Sequence, residues 1–232
     1  LILASLEQMI LPFEERADHA AEAFIVAPSN RLAFDWIERW PDWPFTALVL
    51  VGPAGSGKTH LAALWQGRSG AVSVDLATAG IEQAASVTDA GQPVLVQDCD
   101  RVLDETQAER TLLQLYNLAK ASGARLLLTA RRAPSLWRLE LPDLKSRLNS
   151  AMVVAIEPAD DELLRAVAGK LFGDKQVEVG DEVVDYLLAR CERTVSSLAR
   201  VVETLNMMSK TRRRPITVPM AREVLFPPGA ED

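Results

Sequence analysis

Residues 45–61 read FTALVLVGPAGSGKTHL. The first seven are nearly all apolar and lie between Pro44 and Gly52, the pattern of a short strand buried in a parallel sheet. The next eight, GPAGSGKT (52–59), fit G-x-x-x-x-G-K-[ST] and open a helix expected over about 57–67. Strand, glycine-rich turn and helix in that order make a phosphate cradle. Gly52, Gly55 and Gly57 permit backbone turns that a Cβ would block. The freed N–H groups converge on phosphate oxygens at a helix N-terminus. Lys58 supplies a point charge to the β- and γ-phosphates, and Thr59 offers a hydroxyl to Mg2+. Pro53, Ala54, Ser56 and His60 complete the stretch assigned to a bound ADP or ATP.

Outward from this motif the chain alternates. Strands are expected at 71–75, 93–97, 125–129 and 151–157. Between them fall a helical stretch to about 87, a helix over 104–121 and a short helix over 141–150. The longest of these carries Leu112, Leu115 and Ala119 on one face, with Gly123 as its stop. Upstream, Ser29 is expected to cap a helix to about Trp40, with Leu32, Trp36 and Trp40 on one stripe. The alternation predicts an α/β fold with a parallel sheet covered on both faces. After Pro158 only helices are expected. They start at Asp160 or Asp161, near 180, near Thr194 and after Thr217. The chain thus divides into an N-terminal arm (1–20), a nucleotide-binding domain (21–157) and a small all-helical domain (158–232).

The bulk numbers agree with this organisation. The 232 residues are 48% hydrophobic and 25% charged, a globular composition with room for one α/β domain and a satellite. A net charge of −7 argues against a dedicated polyanion binder. Two distant cysteines, Cys99 and Cys191, point to a reducing cytoplasm and not to a disulfide framework. No apolar run is long enough to span a bilayer, and the first residues lack the cationic start of a signal peptide.

Taken together, FIVAPSNRLA (24–33), GPAGSGKTHL (52–61), VLVQDCD (94–100), LLLTARRAP (126–134), LPDLKSRLNS (141–150), VAIEPADDELLRAV (154–167) and RPITVPMAREVL (214–225) resemble the DnaA/Hda family of AAA+ P-loop ATPases. The resemblance spans nearly the whole chain in order and is closest to Hda-type regulators of the DnaA initiator. It implies a five-stranded parallel sheet followed by a helical lid. It also implies that the segment Phe24–Asn30, including Val26 and Pro28, lies against the adenine.

Three positions depart from the family pattern, and all bear on the terminal phosphate. Gln97 stands at the usual first acidic position of the Mg2+-binding strand, with Asp98 second; Asp98 then takes the metal, polarises water or simply caps a turn. The residue that senses the γ-phosphate is Thr129, Ala130 or Arg131, where the family often has Asp or Asn. The lid arginine that reaches back to the phosphates is replaced by Ser196, with Arg193 or Arg200 as substitutes or as solvated charges. Binding of a diphosphate survives these changes better than hydrolysis does.

The resemblance also assigns roles outside the chain's own pocket. Arg147 in LPDLKSRLNS matches the arginine finger, which acts in trans on a neighbouring subunit's nucleotide. QMILPF (8–13) resembles the short peptide that docks on the replication sliding clamp, the β subunit of DNA polymerase III. There Gln8 anchors through its amide, Leu11 and Phe13 fill apolar pockets with help from Met9, and Pro12 keeps the peptide extended. Sequence-specific DNA binding is not expected, because the chain given ends shortly after the lid segment and Arg212–Arg214 reads as a solvated loop. The implied partners are the clamp and DnaA. The sequence leaves open which nucleotide is resident and whether the chain forms a homodimer.

Overall fold

The computed structural model describes residues 24–80, 91–102 and 106–226. Five strands, β1 (Ala47–Val51), β2 (Val72–Ser73), β3 (Val94–Val96), β4 (Leu126–Ala130) and β5 (Met152–Ala155), form one sheet in the order β2-β3-β4-β1-β5. Every pairing is parallel, and β1 lies between β4 and β5, with Leu50 opposite both Thr129 and Val154. The expected α/β sheet is therefore present, although the strand at 71–75 shrinks to two residues at the sheet edge.

Period-two alternation decides what each face buries. Leu48 and Leu50 of β1, Leu95 of β3, Leu127 of β4 and Val154 of β5 pack against α1 (Arg31–Glu38) and α2 (Lys58–Ser69). On the other face Ala47, Val49, Val94, Val96, Leu126 and Leu128 meet α3 (Thr106–Ser122) and α4 (Pro142–Asn149). Leu112, Leu115 and Ala119 of α3 are fully buried as expected, and Gly123 ends the helix with φ +78°, a conformation only glycine takes without strain.

The expected stripe on α1 is corrected. Leu32 is 59% exposed, and the buried pair is Ala33 and Ile37. The sheet here is closely approached, so a small residue and an Ile at i,i+4 fit, while Trp36 and Trp40 lean on the aromatic cluster of Trp43, Phe45 and Trp65. Ser29 is not the cap. Asn30 holds that position, and its side chain ties back to the preceding segment, accepting from Ala27 N (2.9 Å) and donating to Ile25 O (2.9 Å).

Four helices follow: α5 (Asp161–Asp174), α6 (Asp181–Leu188), α7 (Val195–Arg212) and α8 (Val218–Leu225). Asp160 and Thr194 are side-chain N-caps, accepting from Leu163 N (2.7 Å) and Ser197 N (3.1 Å). These helices enclose their own core around Leu164, Phe172, Leu187, Leu198 and Leu205. Ile25 and Ala27 pack into that core, so the stretch before α1 runs beneath the helical unit. The helical stretch expected to 87 has residues 81–90 outside the described residues, as is the whole arm with Gln8, Met9, Leu11, Pro12 and Phe13.

Candidate functional site

Two adjoining cavities lie where the P-loop turn meets α7. The larger, about 400 Å³, is lined by Ala54, Gly55, Gly57, Lys58, Thr59, His60, Asp98, Arg131 and the start of α7. The smaller, about 170 Å³ and mostly apolar, is bounded by Phe24, Ile25, Asn30, Ser56, His60 and helix α5. Gly57, His60 and Val195 border both. A solvent-open chamber that carries Lys58, Thr59, Asp98 and Arg131, beside a small apolar one, suits a phosphate chain and a planar base in that order.

The sequence explains the turn. Gly55 and Gly57 take φ +73° and +97°, and a Cβ on Gly55 would lie 2.7 Å from Ser196 Oγ. That figure also shows how closely the tip of α7 approaches the loop. Gly52 is equally constrained, since its Cβ would fall 2.6 Å from Ile156 O. Gly57 then stands at the N-cap of α2, so the helix N-terminus opens toward the larger cavity.

Lys58 is 6% exposed and donates to the carbonyls of Gly52 and Pro53, both at 2.7 Å. Burial pulls its ammonium below the ordinary lysine value; Asp98 and Asp100 oppose this, while Arg131 adds to it. Gly52 and Pro53 thus serve through their carbonyls and not as cavity lining. At the base end Phe24 stacks on Phe34 (5.7 Å) and meets His60 edge-on (5.2 Å). Ser56 Oγ is buried at the rim with no hydrogen-bond partner among the described residues, so a polar ligand group has an atom to satisfy there.

Two of the residues expected at the adenine do not line these cavities. Val26 is half-buried and Pro28 exposed, and neither lines either of these two cavities. The extended segment alternates, so Ile25 and Ala27 turn to the helical core; Ile25 borders the base cavity in Val26's place.

Gln97 is exposed and lines neither cavity, whereas Asp98 lines the larger one with Thr59. Asp98 adopts φ +51°, and its N–H donates to Thr129 Oγ1 at 3.0 Å. A hydroxyl and a half-exposed carboxylate in one chamber fit Mg2+, which keeps several waters and takes one or two carboxylates beside phosphate oxygens. Thr59 and Asp98 would hold that ion, and it would neutralise charge on the phosphates when bound. Of the lid substitutes for Ser196, Arg193 pairs with Asp161 at 2.5 Å and Arg200 lines neither cavity.

Arg147 lies elsewhere. It sits in the last turn of α4, half-buried, while Leu144 and Leu148 of the same helix are locked in the core. No carboxylate among the described residues pairs with its guanidinium. Sequence reading missed the residue that fixes this helix. Glu109, 1% exposed on α3, accepts from Glu140 N (2.9 and 3.1 Å) and Leu141 N (2.8 Å), at the N-terminus of α4. Glutamate in a helical stretch reads as a solvated charge, and no spacing rule flags a partner thirty residues away. Glu109→Ala leaves two part-buried N–H groups without their acceptor and is expected to lower stability by about 1–3 kcal/mol, read as a fall in the urea midpoint.

Comparison with known proteins follows this geometry. Residues 163–225 match the family model described as the lid domain of Hda. An uncharacterized protein of Haemophilus influenzae is 27% identical over 228 residues, covering 94% of this chain and 98% of that one. Among solved structures, domain III of the Thermotoga maritima replication initiation protein DnaA superposes with a TM-score of 0.74 at 19% identity, covering 90% of this chain and 95% of that one. AMPPCP-bound DnaA from Aquifex aeolicus gives a TM-score of 0.70 at 18% identity over 83% of this chain and 68% of that one. These likenesses establish the fold of the sheet with its helical lid.

Proposed function

We propose that this chain, with a lid that matches the Hda lid model and a sheet of DnaA-type fold, is an AAA+ protein of the DnaA/Hda family and a cytoplasmic regulator of replication initiation. It holds ADP or ATP with Mg2+ in the two joined cavities, docks on the sliding clamp through residues 8–13, and presents Arg147 to ATP bound by DnaA. Hydrolysis by that partner is stimulated, and DnaA is left in its ADP form. Its own hydrolysis is weak, because the cavity has Ser196 on the lid side and Gln97 outside the chamber.

The observation that carries this reading is the placement of Arg147. It does not line the chain's own phosphate chamber, and it sits on a helix anchored by two buried leucines and a buried glutamate, making no ion pair among the described residues. A guanidinium so held is suited to a phosphate on another molecule. No described helix is long and apolar enough to cross a membrane.

The test is reconstitution: ATP-bound DnaA, clamp loaded on DNA, and this protein. Stimulated hydrolysis is expected only when all three are present. Gln8→Ala combined with Leu11→Ala should remove clamp binding in surface plasmon resonance and the stimulation with it, leaving thermal stability unchanged. Stimulation that persists without clamp would remove the docking step from the proposal.

A further inference from the structure

The helical lid carries a basic and aromatic groove between α6 and α8. A hollow of about 690 Å³ is lined by Tyr186 and Arg190 on one side and by Pro219, Arg222 and Phe226 on the other. A second hollow, about 310 Å³, adjoins it at Pro219 and adds Arg212, Arg214 and Glu223. Glu223 is the one carboxylate that lines either hollow among the described residues, and Arg212 neutralises it through two hydrogen bonds of 2.6 Å. Arg190, Arg214 and Arg222 are exposed and make no ion pair among the described residues. The Arg190 guanidinium lies over the Tyr186 ring, 4.2 Å from its centroid, and Phe226 leaves 57% of its surface in solvent. The loop that bears Arg214 is more than the solvated turn expected of it. Arg213 takes φ +50°, Arg214 N donates to Ser209 O at 3.2 Å, and Ser209 Oγ donates to Arg214 O at 2.6 Å, which pins Arg214 to the end of α7. On a chain of net charge −7, this face offers a local positive field beside two aromatic rings.

We propose that this lid groove binds a single-stranded nucleic acid, with Arg190, Arg214 and Arg222 on its phosphates and Phe226 stacked on a base. Charge alone would suit any polyanion. The interleaving of guanidinium groups and rings is what favours a strand: phosphates meet the cations while unpaired bases lie on the ring faces. A duplex keeps its base faces inside the stack and gains only the charge. Neither kind of contact reads base identity, so the groove needs no sequence-specific element. None of its residues lines the two cavities at the P-loop, so the proposal stands apart from the nucleotide and from Arg147.

Fluorescence anisotropy of a labelled oligothymidylate, titrated with the full chain over a series of NaCl concentrations, tests this. Three phosphate contacts predict that log K falls with log salt at a slope of about −2. Arg190→Ala combined with Arg222→Ala should weaken binding by about tenfold or more and flatten the slope to about −0.7. Phe226→Ala should weaken binding about tenfold and leave the slope unchanged, because stacking releases no counterions. Arg110→Ala, which removes an exposed charge from α3, should change neither. A wild-type chain that ignores the strand, or an Arg110→Ala loss equal to that of the groove variant, would overturn the proposal. So would an unaltered affinity in Phe226→Ala, or a duplex of the same length bound as tightly as the strand. Polyglutamate that displaces the strand at equal charge would assign the groove to an acidic peptide instead.

Discussion

Arg147→Ala is expected to abolish stimulation of DnaA's ATP hydrolysis while sparing everything the protein does alone. An arginine delivered in trans to a terminal phosphate is worth about 10³–10⁵ in rate, because its planar fork matches charge spread over the equatorial oxygens of the transition state. The stimulated rate should therefore drop to that of DnaA without the regulator. Fold and nucleotide content should survive. The side chain is half-buried and makes no ion pair among the described residues, so its truncation should cost no more than about 1 kcal/mol. Leu144 and Leu148, which anchor the helix, are untouched. Arg147→Lys should recover little, since an ammonium offers charge without the fork. Single-turnover hydrolysis by clamp-dependent reconstitution, with clamp binding measured in parallel, separates a lost finger from lost docking. Full stimulation by Arg147→Ala would show that the cation comes from another residue.

Much of the fold was legible because local and global signals agree. Phe45–Val51 and 126–130 are apolar runs with turn signals at both ends, and the interior of a parallel sheet is what such runs need. Asp160 and Thr194 cap the helices they precede, a local rule that works from sequence. Failures came where tertiary context overrules pattern. The stripe through Leu32 failed because the sheet accepts Ala33 and Ile37 and leaves Leu32 in solvent. Val26 and Pro28 lie off the cavity lining because Ile25 and Ala27 are drawn under the lid, setting which side of an extended segment faces the cavity. Glu109 and Asp100 were invisible for a shared reason: each spends a carboxylate on backbone N–H groups about thirty residues away. The P-loop itself was readable residue by residue, because its backbone needs and its cation are compressed into eight positions. The terminal-phosphate end was not, since its parts come from β3, β4 and α7.

The second large effect falls on that readable motif. Lys58→Ala should strip nucleotide from the purified protein. Lys58 is nearly buried, held by the carbonyls of Gly52 and Pro53, and lines the larger chamber, where an arriving phosphate would meet its charge. Burial already pulls its pKa down, and an arriving phosphate favours the protonated form, so binding and protonation support each other. Truncating one partner of such a buried charged pair costs about 2–5 kcal/mol, roughly thirty- to several-thousand-fold in Kd. Two readouts follow. Nucleotide released on denaturation should be present in wild type and absent from the variant. In thermal melts, ADP–Mg at about 100 times Kd should stabilise wild type by about 2.7 kcal/mol, or some 5–11 °C for a chain of this size. The variant at the same concentration should show almost no rise. Its melting point without nucleotide should change little, because the carbonyls it frees lie beside an open chamber where water can reach them. Retained nucleotide with an undiminished thermal shift would mean that the turn binds through its backbone alone, and the phosphate charge would then have to be met by Arg131 and Mg2+.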